Sequence, residues 1–348
     1  MFSFLRPYIF SLDPEAAHDL AIKSLKFNLL PKNFFEVEGE ELLSTDLFKK
    51  KLKNPIGLAA GFDKSAEVYN SLFKFGFGFV EVGTITPKQQ FGNPKPRVFR
   101  LEKDKALINR LGFNNDGIET VSERLKNNMP DEFLGINIGP NKDTKDKVLD
   151  FLECFKKLQK FAGYITVNIS SPNTVGLRDF HEEKLLSELL SKLLEYKKKQ
   201  KITCPIALKI SPDIGEAEIS NINEMVLKFK IDGVILTNTT NQNRDNLIDE
   251  KKSEIGGLSG QPLQKISLRF TKKFYQSNKG KIPIIGVGGI DSGQSAFEKI
   301  AAGATAIQLY TGMVYKGPGV VKDIKKELIK ILREKKLKNI QQAIGINS

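Results

Sequence analysis

The chain has 348 residues, 40% of them hydrophobic and 9% aromatic, which suffices for a sizeable core and excludes a disordered polypeptide. Its formal charge of +13 is scattered over short runs such as Lys49-Lys50-Lys51, Lys197-Lys198-Lys199 and Lys335-Lys336, the pattern of solvated helix faces rather than a nucleic-acid stripe, although a diffuse excess still favours an anionic surface or substrate. Cys154 and Cys204 fit a reduced compartment without metal-ligand spacing, so no metal is expected, and a Ser-His-Asp hydrolase would have only His18 or His181 and no Gly-x-Ser-x-Gly to use.

Residues 1–40 read as a hydrophobic helical arm ahead of any strand. Phe2, Phe4, Leu5, Tyr8, Ile9 and Phe10 lead into Asp13-Pro14-Glu15, a helix start with proline at its first position. An apolar stripe through Ala17, Leu20, Ala21 and Leu25 follows, opposed by Lys23 and Lys26. Arg6 and Asp13 interrupt the run, so no window reaches the ~20 apolar residues of a spanning helix, and there is no signal-peptide core with a cleavage site. The arm is either a cap over the rest of the chain, residues 41–348, or a contact with a membrane surface.

From there, short apolar runs bounded by Gly, Pro or Asn recur at 56–60, 79–83, 134–138, 165–168, 206–210, 233–237, 284–287 and 306–310. Amphipathic segments separate most of them, as with Leu185, Leu186, Leu189, Leu190, Leu193 and Leu194. The alternation predicts a (β/α)8 barrel, with an open doubly wound sheet as the alternative. The barrel is preferred because residues with chemistry to offer follow nearly every run, as one face collecting eight loops requires. In order they are Ala60-Gly61-Phe62-Asp63-Lys64, Thr84, Asn137, the loop opened by Asn168, Lys209 within its own strand, Thr237-Asn238-Thr239, Gly286-Val287-Gly288-Gly289-Ile290 and Tyr310-Thr311-Gly312.

The loop Asn168-Ile169-Ser170-Ser171-Pro172-Asn173-Thr174-Val175 sets two neutral amides around a hydroxyl, a set able to grip a flat, amide-bearing ring beside a potential base; its plainer reading is a strand-end turn. Glycines 286, 288 and 289, with Gly256-Gly257-Leu258-Ser259-Gly260, offer backbone N–H groups on the late loops, where barrels often bind phosphate. Lys209, in an otherwise apolar strand, either reaches the barrel mouth beside a cofactor that gains negative charge or pairs with a buried acid such as Asp63. Lys64 is a candidate for a substrate carboxylate, or an ordinary loop lysine.

Taken together, Ala60 to Lys64, Asn109-Arg110-Leu111-Gly112-Phe113-Asn114, Asn168 to Asn173 continuing into Thr174-Val175-Gly176-Leu177-Arg178, and Gly286 to Ile290 resemble the dihydroorotate dehydrogenases, in the same order from about residue 13 to Gly319. The resemblance implies oxidation of dihydroorotate to orotate in pyrimidine synthesis, on FMN held in a barrel. Ser171 would be the general base taking the C5 proton while C6 gives a hydride to flavin N5. A serine hydroxyl is a poor base at neutral pH, so a neighbour must help, Thr174 or a water. By the same resemblance Asn109, Asn168, Asn173 and Asn238, with Arg110, Leu111, Gly112, Phe113 and Thr239, hold the pyrimidine ring, and Lys64 meets its carboxylate. Ala60, Gly61, Lys64, Thr84, Asn137, Asn168, Lys209, Thr237, Gly260, Gly289, Tyr310 and Thr311 would contact FMN, Lys209 stabilising the anionic reduced flavin. Phe62 and Leu111 depart from the commoner family residues, apolar for apolar.

Soluble members of the family use a cysteine base with fumarate or a nicotinamide acceptor, whereas membrane-associated, class 2 members use a serine and quinone. Ser171 and the arm point to the second branch, where two such helices form the mouth of a quinone tunnel, and this ranks membrane contact above the cap. His18 and Arg100 match the polar residues of that tunnel, and Tyr310 would sit between it and the flavin; a helix-face histidine and a hairpin arginine are the plainer readings. With no transit peptide or spanning segment ahead of the arm, the expected place is the cytoplasmic face of a bacterial inner membrane. An FMN-dependent tRNA dihydrouridine synthase is a rival, but its chemistry needs a cysteine acid. A flavin-binding module without catalysis would need a lost catalytic residue, and none is lost.

Overall fold

Short parallel strands close into a barrel in which each strand neighbours the next in sequence. They are β1 (Ile56–Leu58), β2 (Phe79–Ile85), β3 (Leu134–Ile138), β4 (Tyr164–Asn168), β5 (Ile206–Ile210), β6 (Gly233–Leu236), β7 (Ile284–Val287) and β8 (Ala306–Leu309), and β8 returns to β1 with Ile307 opposite Ile56. The computed structural model describes residues 2–31, 34–174, 176–242 and 244–348, with Ser3 described by its backbone alone. Met1, Lys32 and Asn33 of the expected arm and Val175 of the Asn168 loop lie outside the described residues. All the expected strands are present, and their closure rules out the open sheet.

The strands are apolar on both faces because outward side chains meet helices and inward ones fill the barrel. The lowest interior layer is apolar, with Phe79, Tyr164, Ala207, Ile235, Ile285 and Ala306 packed on Leu47 and Leu52. These two leucines come from an antiparallel pair, Thr45–Leu47 and Lys50–Leu52. Gly57 and Gly135 leave room for the rings: a Cβ would fall 2.4 Å from Phe79 Cζ at the first and 2.2 Å from Tyr164 Cζ at the second. Side chains of a strand alternate faces, so the next inward layer comes two residues on. Its polar members include Glu81, Asn137, Thr166, Lys209 and Gln308, all buried.

Two additions shape the mouth. The segment after β2 forms a hairpin, Val98–Leu101 and Ala106–Asn109, and Gly257–Gly260 from the loop after β6 pairs antiparallel with it, Asn109 opposite Gly257. The other addition is the arm, with helices α1 (Phe2–Ser11) and α2 (Pro14–Lys26). Asp13 caps α2 by accepting from the N–H groups of Glu15 at 2.9 Å and Ala16 at 3.0 Å. The hairpin holds the arm in place: Arg97 forms a two-pronged contact with Glu15, and Arg100 donates to the carbonyls of Phe10 at 3.1 Å and Leu12 at 2.8 Å. Phe4, Tyr8, Leu20, Phe27 and Leu29 of the arm remain exposed, Leu29 to 85%. Among the described residues no helix is long and apolar enough to cross a membrane.

Candidate active site

A cavity with about 1350 Å3 of space, its open mouth included, lies at the C-terminal ends of the barrel strands, beside the hairpin. Every residue expected to contact substrate or flavin lines it, except Arg110 and Asn137. Ser171 follows β4 and is buried, and its Oγ accepts from the Asn173 N–H at 3.2 Å. The Asn173 amide donates to the Asn109 carbonyl at 3.2 Å, and that of Asn238 to Ser170 Oγ at 2.9 Å. The cavity beside the Ser171 hydroxyl is thus lined by amide side chains of Asn109, Asn168, Asn173 and Asn238. The Asn168 loop is also tied to the one after β5, Arg178 lying 3.0 Å from Asp213 in an ion pair.

The polar interior layer forms the floor. Glu81, fully buried, accepts from Asn137 Nδ2 and Tyr164 Oη at 2.8 Å each, from Gln308 Nε2 at 2.9 Å and from Thr166 Oγ1 at 3.1 Å. Asn137 passes the pattern upward, its Oδ1 taking Thr84 Oγ1 at 2.7 Å and Asn168 Nδ2 at 3.1 Å. Asn137 thus lies one layer below the cavity and acts on it through Thr84 and Asn168.

Among the groups left for a ligand, beside the buried Oδ1 of Asn114, three stand out. Gln308 lines the cavity, and because its amide nitrogen serves Glu81 its Oε1 is buried without a partner among the described residues. Lys209 is buried with no hydrogen-bond acceptor among the described residues; burial lowers its pKa, against the opposing pull of Glu81. It is not paired with Asp63, whose carboxylate caps Glu67 N and Val68 N and is raised by burial to about 6. Finally, the N–H groups of Gly288 and Gly289, both at positive φ, donate to no acceptor among the described residues. An unpaired cation, a lone acceptor and free backbone N–H groups complement a planar ring carrying N–H groups, developing negative charge and ending in a phosphate.

Arg110 points away, held by Glu254 at 2.7 Å and by the carbonyls of Ile255 and Pro96. Its neighbour Asn109 ends the hairpin strand facing the cavity, and adjacent residues of an extended chain face opposite ways. Arg100 stays outside as well, spent on the arm and stacked 4.7 Å from the Phe10 ring. His18 touches the far side of the site, its ring 5.0 Å from that of Phe62, which is 6.1 Å from that of Tyr310. Neither cysteine lines the cavity: burial pushes Cys204 up to about 12 and Cys154 well above its ordinary range. Glu81, Gln308 and Ser259, whose hydroxyl lies 2.9 Å from that of Thr311, did not stand out in the sequence. For Glu81 and Gln308 the available signal was the same as for Lys209, a polar residue interrupting an apolar strand.

The family model for dihydroorotate dehydrogenase matches residues 42–332. The chain belongs to this family. Relatives named dihydroorotate dehydrogenase (quinone) include one from Aliivibrio fischeri, 46% identical, covering 93% of this chain and 98% of that protein, and one from Christiangramia forsetii, 45% identical, covering 94% and 98%. The mouse mitochondrial relative is 43% identical over 97% of this chain and 87% of its own. Among solved structures, a dihydroorotate dehydrogenase from Eimeria tenella, crystallised with ferulenol, superposes with a TM-score of 0.91 at 40% identity, covering 96% of both chains.

Proposed function

We propose that this chain oxidises (S)-dihydroorotate to orotate in pyrimidine synthesis, with FMN as cofactor and a quinone as acceptor. The observation that carries this reading is a buried serine, Ser171, at the base position of a cavity ringed with amides, with no cysteine lining it among the described residues. Lys209, Gln308 Oε1 and the free N–H groups of Gly288 and Gly289 fit FMN, which when bound accepts the substrate hydride and passes electrons to the quinone. Asn109, Asn168, Asn173, Asn238 and Thr239, with the Leu111 to Phe113 segment, would hold the pyrimidine ring, and Lys64 its carboxylate. Ser171 takes the C5 proton while its own hydroxyl proton passes to a neighbour, Thr174 or a water, and the Asn173 N–H donating to its Oγ stabilises the charge that grows there. Lys209 meets the charge gained on reduction.

Ala60, Gly61, Thr84, Thr237, Gly260, Gly289, Tyr310 and Thr311 line the cofactor's part of the cavity in this reading, with Asn137 acting from beneath. The quinone enters between the arm, residues 1–40, and the catalytic barrel, residues 41–348, where Phe62 bridges His18 and Tyr310. Arg100 shapes that entrance by fixing the α1–α2 junction. The exposed aromatic and leucine side chains of the arm, with Arg6, Lys23 and Lys26, suit a peripheral helix pair on an anionic bilayer, at the cytoplasmic face of a bacterial inner membrane.

The test is anaerobic bleaching of the purified holoprotein's flavin by dihydroorotate, followed by quinone, fumarate or NAD in parallel. Bleaching reversed fast by quinone alone is expected. A flavin-loaded protein that dihydroorotate leaves yellow refutes the reading, and reversal by fumarate or NAD moves it to the soluble branch.

A further inference from the structure

Lys64 borders both the active-site cavity and a second cleft, between α2 and the barrel. It is set in the loop after β1, and no carboxylate among the described residues lies within ion-pair distance of it. Glu15 and Asp19 of α2 act on it only at longer range, and Glu15 is engaged by Arg97. The hydrogen-bond partner it has is His18 of α2, with Nζ 3.4 Å from Nε2.

Two features fix what His18 can do there. Its ring packs edge-on against Phe62, and because the Lys64 ammonium can only donate, Nε2 is the acceptor of this hydrogen bond. Burial and the neighbouring Lys64 hold the imidazole's pKa down to about 3, which keeps it neutral. A neutral imidazole facing an ammonium is an oriented hydrogen bond, charged on one side only.

We propose that His18 is a positioning residue for Lys64, so that docking of the arm contributes to dihydroorotate binding itself and not only to delivery of quinone. The inference rests on the reading of Lys64 as the partner of the substrate carboxylate. It assigns His18 work in the reductive half-reaction, where a residue that merely lines a quinone entrance has none. The arm helix thereby becomes part of the substrate site.

The experiment is stopped-flow flavin reduction of the holoenzyme by dihydroorotate under anaerobic conditions with no quinone present. His18→Leu is expected to weaken the apparent dihydroorotate affinity, and orotate binding read from the flavin spectrum, by about tenfold, the loss of one hydrogen bond to a charged group. The limiting reduction rate and flavin content stay close to those of the parent. His18→Gln, whose side-chain carbonyl restores an acceptor, recovers most of the loss. Glu15→Gln, which loosens α2 from Arg97 and leaves His18 intact, shifts the same constants the same way and decides the matter if His18→Leu does not accumulate. Parent-like dihydroorotate and orotate affinities in these variants, with only quinone turnover slowed, overturn the proposal. A parent enzyme that dihydroorotate fails to bleach refutes the activity instead, so the two failures are separable.

Discussion

Replacing Lys209 with methionine tests the electrostatics of the floor, because two consequences run in opposite directions. The ammonium is buried and finds no acceptor among the described residues, and its pKa is lowered by burial even though Glu81 raises it. The charged form is thus net disfavoured in the protein alone. Removing a buried charge that has no acceptor also removes its desolvation cost, so the flavin-free Lys209→Met protein should melt no lower than the parent and up to several degrees higher. With FMN bound the sign changes. Losing a hydrogen bond or close contact to a charged group costs about 1.5–3 kcal/mol, roughly 10–150-fold in the FMN dissociation constant. The assay is a pair of thermal melts for each protein, apo and FMN-saturated, with fluorescence titration of FMN into the apo form. Flavin-induced stabilisation should shrink while the apo melt holds or rises. An apo protein clearly destabilised by the change, together with parent-like FMN affinity, would show that Lys209 is a structural partner of Glu81 and refute the reasoning.

Ser171→Ala should keep FMN and its yellow colour yet slow flavin reduction by dihydroorotate by about 10²–10⁴-fold, since proton abstraction alone is removed; a normal stopped-flow rate excludes Ser171 as the base. Lys299, buried behind β7 with its ammonium on Ser267 Oγ at 2.6 Å, is lowered by burial from 10.5 to about 7. Between these values the unfolded chain binds a proton that the folded one does not, so stability rises with pH, by up to ~1.4 kcal/mol per unit, and the penalty is fully present below about pH 7. Denaturant melts should show that extra slope in the parent and not in Lys299→Met; parallel curves would sink the idea. Changing Phe27 and Leu29 together to serine should weaken binding to anionic vesicles by about tenfold or more, at up to ~2 kcal/mol for each apolar side chain inserted. Unchanged co-sedimentation would take both residues out of the membrane contact.

The barrel was legible because each strand is a short apolar run with glycine, proline or asparagine at its ends, and closure needed only the count and the placement of polar residues. The start of α2 was legible for a local reason as well, Asp13 capping a helix that begins with Pro14. The strand Gly257–Gly260 was not, because its pairing is made with Ala106–Asn109, far away in sequence, and its glycines carry no strand preference. Arg110 shows the limit of reading a motif as a block: Asn109 reaches the cavity while the next side chain is turned outward to Glu254. His18 and Lys64 are each visible in the sequence, but their contact depends on how α2 docks, which no local pattern encodes. Glu81 and Gln308 sat in plain view inside apolar strands and gained meaning only as neighbours across the barrel.

The floor of the cavity also has a polarity. A carboxylate can only accept, so Glu81 turns the NH2 ends of Asn137 and Gln308 towards itself and their oxygens away. The oxygen of Asn137 then demands donors, which Thr84 and Asn168 supply, and the oxygen of Asn168 takes the Ser170 hydroxyl at 2.9 Å. One acid at the bottom thus dictates the direction of every donor up to the serine loop, across strands that are distant in sequence. An amide cannot be reversed at one point without reversing its neighbours, so these positions behave as a single heritable unit. A substitution tolerated in isolation elsewhere in the barrel would here need partners changed in step.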